Sequence, residues 1–134
     1  MIETELRTYI TGHADTAAVF VSRIYPETLP INTTLPAIAY NRINTMHSTT
    51  LAGSDNYIIA SIQFTVIDTT YILTRTNADL LIGILNGFYG TLTTTRVLGC
   101  KVIADNNLGY ENENDSTKKR YGIAIDVDIH YNEA

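Results

Sequence analysis

Apolar residues recur first at helical spacing and then, for most of the chain, at strand spacing. Ile2, Leu6 and Ile10 fall every four residues with Tyr9 beside them, so one stripe of a short helix is apolar. Gly12 follows as its stop. Val19, Phe20, Val21 and Ile24 predict a first strand over Ala17 to Tyr25. Pro26 and Pro30 break that pattern, and the stretch from Pro26 to Pro36 reads as an irregular connector. Ala37 to Ile43 resumes as a second strand. Met46 to Asp55 is polar, contains Gly53, and predicts a long hairpin loop. From Asn56 to Asp68 the alternation is strict. Ile58, Ala60, Ile62, Phe64 and Val66 form the better core face, against Tyr57, Ile59, Ser61, Gln63 and Thr65 on the other.

The next segment predicts the clearest helix. Asp68, Thr69 and Thr70 offer side-chain oxygens for its first free N–H groups. Leu73, Leu80, Leu81, Ile84, Leu85 and Phe88 fall on one face, with Asn77 as a polar misfit among them. Arg75, Asp79 and Asn86 fall opposite, and Gly87 and Gly90 bracket the end. Arg96 to Ala104 predicts a further strand with Val97, Cys100 and Ile103 as apolar candidates, and Asp105 to Ser116 a polar loop. Lys119 to Tyr131 closes the chain as a strand. Its apolar face is Tyr121, Ile123, Ile125, Val127, Ile129 and Tyr131. Its other face is Gly122, Ala124, Asp126, Asp128 and His130. The pattern predicts one α+β domain over residues 1–134, in the order α-β-β-β-α-β-β. Its sheet is mainly antiparallel, of four to five strands, with two helices packed on one face.

Composition narrows the class. The chain has 134 residues, 45% hydrophobic and 17% charged, which supplies a core and excludes a disordered chain. No apolar run reaches the roughly 20 residues of a membrane helix. The acidic start Met1-Ile2-Glu3-Thr4-Glu5 lacks the features of a signal peptide, so cytoplasmic synthesis is the expectation. A net charge of −5, with one basic cluster at Lys118-Lys119-Arg120 beside the acidic run from Glu111 to Asp115, argues against a duplex-DNA reader. Cys100 is the one cysteine and reads as a small buried apolar residue.

Few residues point to chemistry. Asp126, Asp128 and His130 alternate on one strand, about 7 Å apart, and combine carboxylate with imidazole, so they form a candidate metal constellation. The plainer account is the polar face of an amphipathic strand. Asp105-Asn106-Asn107-Leu108-Gly109 begins like a calcium loop, but its glycine comes one position early and Ser116 stands where the bidentate glutamate belongs. No nucleophile elbow, zinc-protease helix, P-loop or dinucleotide glycine pattern is present, so no catalytic residue, no enzyme activity and no cofactor are expected. Tyr40, Tyr57, Tyr121 and Tyr131 sit on strands, each with apolar area and a polar tip, which suits a half-buried or interface surface. Two helices hardly cover both faces of such a sheet, so another subunit is expected against one of them.

A family resemblance runs through this order of elements. It rests on RIYPETLPINTTLPAIAY (Arg23 to Tyr40), LAGSD (Leu51 to Asp55), IQFTVID (Ile62 to Asp68), the amphipathic helix, and the closing strand RYGIAIDVDIHYNE (Arg120 to Glu133). Over almost its whole length the chain resembles the small tail-completion or tail-terminator proteins of long-tailed bacteriophages. The Asn-rich loop from Glu111 to Asp115 is longer than that pattern leads one to expect. The resemblance implies a non-enzymatic virion protein of the tail and neck, made in the host cytoplasm. It would form a ring, commonly a hexamer, at the head-proximal end of the tail tube. That ring stops tube growth and docks onto the head connector, while genome DNA passes through its lumen. The implied partners are further copies of itself, the tail tube protein and a head-completion protein, with neither a membrane nor sequence-specific DNA binding. Negative charge suits a conduit that must not grip phosphates. Long connectors in compact domains carry function. That makes Pro26, Leu29, Pro30 and Pro36, and then Met46, His47, Leu51, Gly53 and Asp55, the expected arms for subunit or partner contact. Other accounts of the sequence are a head-closure or connector protein, a small metal-binding domain on Asp126, Asp128 and His130, and a homodimeric binding module.

Overall fold

A computed structural model describes residues 2–20, 23–27, 35–50, 53–92, 94–112 and 119–132, with backbone alone for 48–50, 53–56, 109–112 and 119. Helices α1 (Ile2–Gly12) and α2 (Ala14–Phe20) open the chain, followed by strands β1 (Ile24–Pro26), β2 (Ala37–Thr50) and β3 (Gly53–Asp68). Helix α3 (Tyr71–Leu85) precedes β4 (Gly90–Thr91), β5 (Arg96–Asn112) and β6 (Lys119–Asn132). The strands form one sheet in the order β1-β2-β3-β6-β5-β4. All neighbouring pairs are antiparallel except β1 with β2, where Ile24 sits beside Ile38 in parallel.

The α+β class holds, while the element count changes. There are three helices and six strands among the described residues, where two helices and four to five strands were expected, and the sheet is mixed. Ala17 to Phe20 is helical, not the start of a strand. Thr16 and Phe20 are both buried one turn apart, and the Thr16 hydroxyl donates to the Ile10 carbonyl at 2.5 Å. That one-turn spacing and two alanines outweigh the β-branched residues nearby. Among the described residues of that stretch, the strand is Ile24–Pro26.

The predicted loop at Met46 to Asp55 is replaced by ladder. β2 and β3 make a hairpin in which Met46 pairs Ile59, His47 pairs Ile58, and Thr50 pairs Gly53. Asp105 to Asn112 likewise continues β5, with Asp105 opposite Ile125 and Tyr110 opposite Tyr121. Where side chains are described there, at Met46, His47 and Asp105 to Leu108, they are exposed, so no buried face imposes apolar alternation. Cross-strand pairing holds both stretches instead, and β-propensity yields to that context.

One core joins the helices to one face of the sheet. Ile2, Leu6, Ile10, Phe20, Leu81 and Leu85 pack over Ile58, Ile62, Phe64 and Val66 of β3 and Ile123, Ile125, Val127 and Ile129 of β6. Each such side chain, fully buried, contributes roughly 1.5–3 kcal/mol. Thr70 caps α3, its hydroxyl accepting from the Leu73 amide at 3.2 Å. Within α3 the face is turned from its predicted position. Thr74, Asn77 and Ala78 are buried with Leu81 and Leu85, while Leu73 is exposed. Asn77 is the seam to β3: its amide donates to the buried Asp68 carboxylate at 2.8 Å. Ile103, expected in the core, is also exposed, whereas Val97 and Cys100 are buried as expected.

Candidate functional site

The face of the sheet turned away from the helices carries the residues singled out for chemistry. β3 and β6 alternate in register, so Ile59 lies opposite His130, Ser61 opposite Asp128 and Gln63 opposite Asp126. Their polar groups are spent on one another. The Ser61 hydroxyl donates to Asp128 at 2.7 Å and the Gln63 amide to Asp126 at 3.1 Å. Tyr57 shares a hydrogen bond with His130 Nδ1, their rings 5.8 Å apart. Asp126, Asp128 and His130 therefore do share a face, as their spacing predicts. Each turns to its own partner on β3, and among the described residues no group of three metal-ligating side chains converges. The arrangement is a row of cross-strand hydrogen bonds that rigidifies the centre of the sheet.

The strands flanking this row behave differently. β2 shifts register between Arg42 and Asn44. β5 shifts between Val97 and Gly99, between Val102 and Ala104, and between Asn107 and Tyr110. The residues extruded at these bulges include Ile43, Leu98, Ile103 and Leu108, all large, apolar and exposed. Each follows a residue whose register partner lies on the core face, so alternation turns it to the helix-free side. For Leu108 the contact is direct: its Cδ1 lies 3.4 Å from where a Cβ on Gly122 of β6 would stand. Bulges blunt a sheet edge, and β5 beyond Val97 has no outer neighbour among the described strands. That explains the bulges but not why apolar side chains fill them.

A second exposed apolar patch lies on the helical side, where Tyr71, Ile72 and Leu73 occupy the first turn of α3. The sequence held a signal for it. Three consecutive apolar residues span too wide an arc for one buried stripe, so some must face outward. The bulge residues had no such signal, because register shifts arise from pairing between distant segments.

Of the expected contact arms, Pro26 ends β1 and is exposed, and the Pro36 carbonyl accepts from Arg23 Nε at 2.9 Å. Met46 and His47 are exposed on β2, and Gly53 and Asp55 lie at the start of β3. Leu29, Pro30 and Leu51 lie outside the described residues. A hollow of about 610 Å³ lies between α1, α2 and the end of α3, where Tyr9 stacks on Phe88 at 4.5 Å beside His13, Asp15 and Asp79.

Titration marks structural ties. Glu5 is buried, which alone would raise its pKa. Hydrogen bonds from the Thr95 and Thr94 hydroxyls and amides outweigh that and hold it down at about 2. The Thr94 amide is 2.5 Å and the Thr95 amide 3.0 Å from Glu5 Oε1, so this carboxylate fastens α1 to the turn before β5. Burial, with Asp128 adding to it, pushes the Cys100 thiol up to about 12, which keeps it protonated and unreactive. Arg75 is held above its ordinary value by hydrogen bonds first to Asp79 and then to Asp105.

Comparison with known proteins adds one finding. No family model matches the chain. No curated protein matches it either. Among solved structures, a chain from the virion of the native gene transfer agent (GTA) particle shares the fold. The TM-score is 0.63 at 14% identity, over 96% of this chain and 91% of that one.

Proposed function

We propose that this chain is a structural subunit of a phage-type virion, without enzymatic activity, and that within the virion it acts as the tail terminator. The reading is that copies form a ring, of hexameric type, on the head-proximal end of the tail tube. The ring stops tube growth, receives the head-completion protein and lets genome DNA through its lumen. The observation that carries this is the likeness of nearly the entire fold to a chain of a virion particle. The end-to-end resemblance in order and motifs to tail-completion proteins narrows it to the terminator. Three features of the chain support it. The polar groups of its most suggestive cluster are engaged with one another, as a scaffold requires rather than a catalyst. Its net charge of −5 lets DNA pass without gripping it. The β2–β3 hairpin carries Met46 and His47 exposed along its length, an arm suited to a neighbouring subunit or the tube.

The test is deletion of the chain from the genome that encodes it. The terminator reading expects DNA-filled heads beside unattached tubes of irregular length, with both restored when the chain is supplied. Tubes of uniform length beside heads that leak DNA would instead assign it to head closure. Normal particles lacking the chain would refute a virion role.

A further inference from the structure

Asn86 and Gly87 tie the end of α3 to the edge of β5. Asn86 is the C-cap of α3, and its backbone N–H donates to the Ile82 carbonyl at 2.8 Å. Both residues are exposed and line the hollow beside Tyr9 and Phe88. This is the one place in the sequence where glycine follows asparagine; every other asparagine precedes a residue with a side chain. The difference is chemical. A glycine has no Cβ to crowd its own nitrogen, and its backbone turns freely, so that nitrogen is the one best able to reach the Cγ of a preceding asparagine. Gly87 stands at a φ of 82°, and a Cβ there would meet nothing within 4 Å, so the link is open to water.

We propose that Asn86 is a site of spontaneous deamidation and that the tie to β5 gates the reaction. The Gly87 nitrogen gives up its proton and forms a bond to Asn86 Cγ. The bond from Cγ to the side-chain nitrogen breaks, and that nitrogen leaves as ammonia with the proton. Water then opens the five-membered imide at either carbonyl, giving aspartate or isoaspartate; nothing is oxidised or reduced. In the folded chain β5 holds both reacting groups. The Gly87 N–H donates to the Cys100 carbonyl at 2.7 Å, and Asn86 Oδ1 accepts from the Val102 N–H at 3.1 Å. While these bonds stand, the nitrogen keeps its proton and points at Cys100, not at Cγ. Reaction therefore awaits local release of the junction, which is a low-cost opening at the exposed end of a helix. Its product is a carboxylate where a neutral amide stood, in a hollow that already holds Asp15 and Asp79. Isoaspartate also lengthens the main chain by one carbon between α3 and β5, so the tie cannot re-form as it was.

The test incubates the full-length chain in mildly alkaline buffer, native and in guanidinium chloride, and follows conversion of each asparagine by peptide mass mapping with isoaspartate detection. In denaturant Asn86 is expected to convert first, to a mixture of aspartate and isoaspartate. In the native chain its conversion is expected to be slower by about tenfold or more, because only chains open at the junction react. Amide hydrogen exchange of the native chain measures that opening separately. The slowing of deamidation should be at least as large as the protection of the Gly87 amide, since both need the same N–H released. Asn86→Gln, whose longer side chain closes a ring less readily, should stay unconverted at this position under both conditions. Another asparagine converting ahead of Asn86 in denaturant overturns the site. Native conversion as fast as in denaturant, or slowed less than the Gly87 amide is protected, overturns the gate.

Discussion

The two faces of the central strands are built from alternate residues of the same segments and solve burial in opposite ways. On one face, Ile58, Ile62, Phe64 and Val66 of β3 disappear under three helices. On the other, Tyr57, Ser61 and Gln63 of the same strand bond across to His130, Asp128 and Asp126 and remain half in water. The first face derives its stability from removing apolar area from solvent, which needs shape but not direction. The second derives rigidity from directed bonds of small net energy. The contrast teaches that the helix-free face is finished as a surface. It is polar and internally satisfied at its centre, with apolar side chains exposed along its flanking strands.

That contrast can be broken in graded steps. Phe64→Ala opens a cavity in the helix-covered face and is expected to cost about 3–5 kcal/mol, read as a drop in the denaturant midpoint with the slope retained. Acid comes next. The Glu5 pKa falls from 4.5 to about 2 on folding, so its contribution is complete above pH 4.5 and fades as pH drops toward 2. The loss is on the order of 3 kcal/mol across that window, and Glu5→Gln should flatten the acid limb of a stability–pH curve. Asn77→Ala strands the buried Asp68 carboxylate at the seam between α3 and β3. It should cost about 1–3 kcal/mol in equilibrium unfolding. Ser61→Ala removes one bond from the half-exposed row and should cost about 1 kcal/mol or less. Smallest of all, Ile72→Ser should leave the monomer within about 0.5 kcal/mol of wild type, since that side chain packs on little of its own chain. A large loss there would place Ile72 in the core and erase the distinction between the two faces.

The sequence was most legible where one face is buried. The strict alternation of Ile58 to Val66 and Ile123 to Tyr131 marks the core in the sequence itself, and Thr70 is readable as a cap. It was least legible where pairing alone decides. The hairpin through Met46 and the far half of β5 show no alternation, and the described side chains there, Met46, His47 and Asp105 to Leu108, are exposed. Helix α2 was lost to a local conflict, with β-branched residues beside the helically spaced Thr16 and Phe20. The candidate site divided in the same way. Shared facing of Asp126, Asp128 and His130 follows from a period of two and was visible. Their engagement with Tyr57, Ser61 and Gln63 depends on a register set by residues far apart in the chain, as do the bulges that extrude Leu98 and Ile103.

The most direct measurement of the central claim is electron cryo-microscopy of purified tail tubes incubated with the chain. The account predicts added density at one end of each tube only, a single ring with a lumen wide enough for duplex DNA, and tubes that no longer elongate when tube protein is added. Tubes that remain bare and keep growing, with the chain recovered unbound, would contradict it.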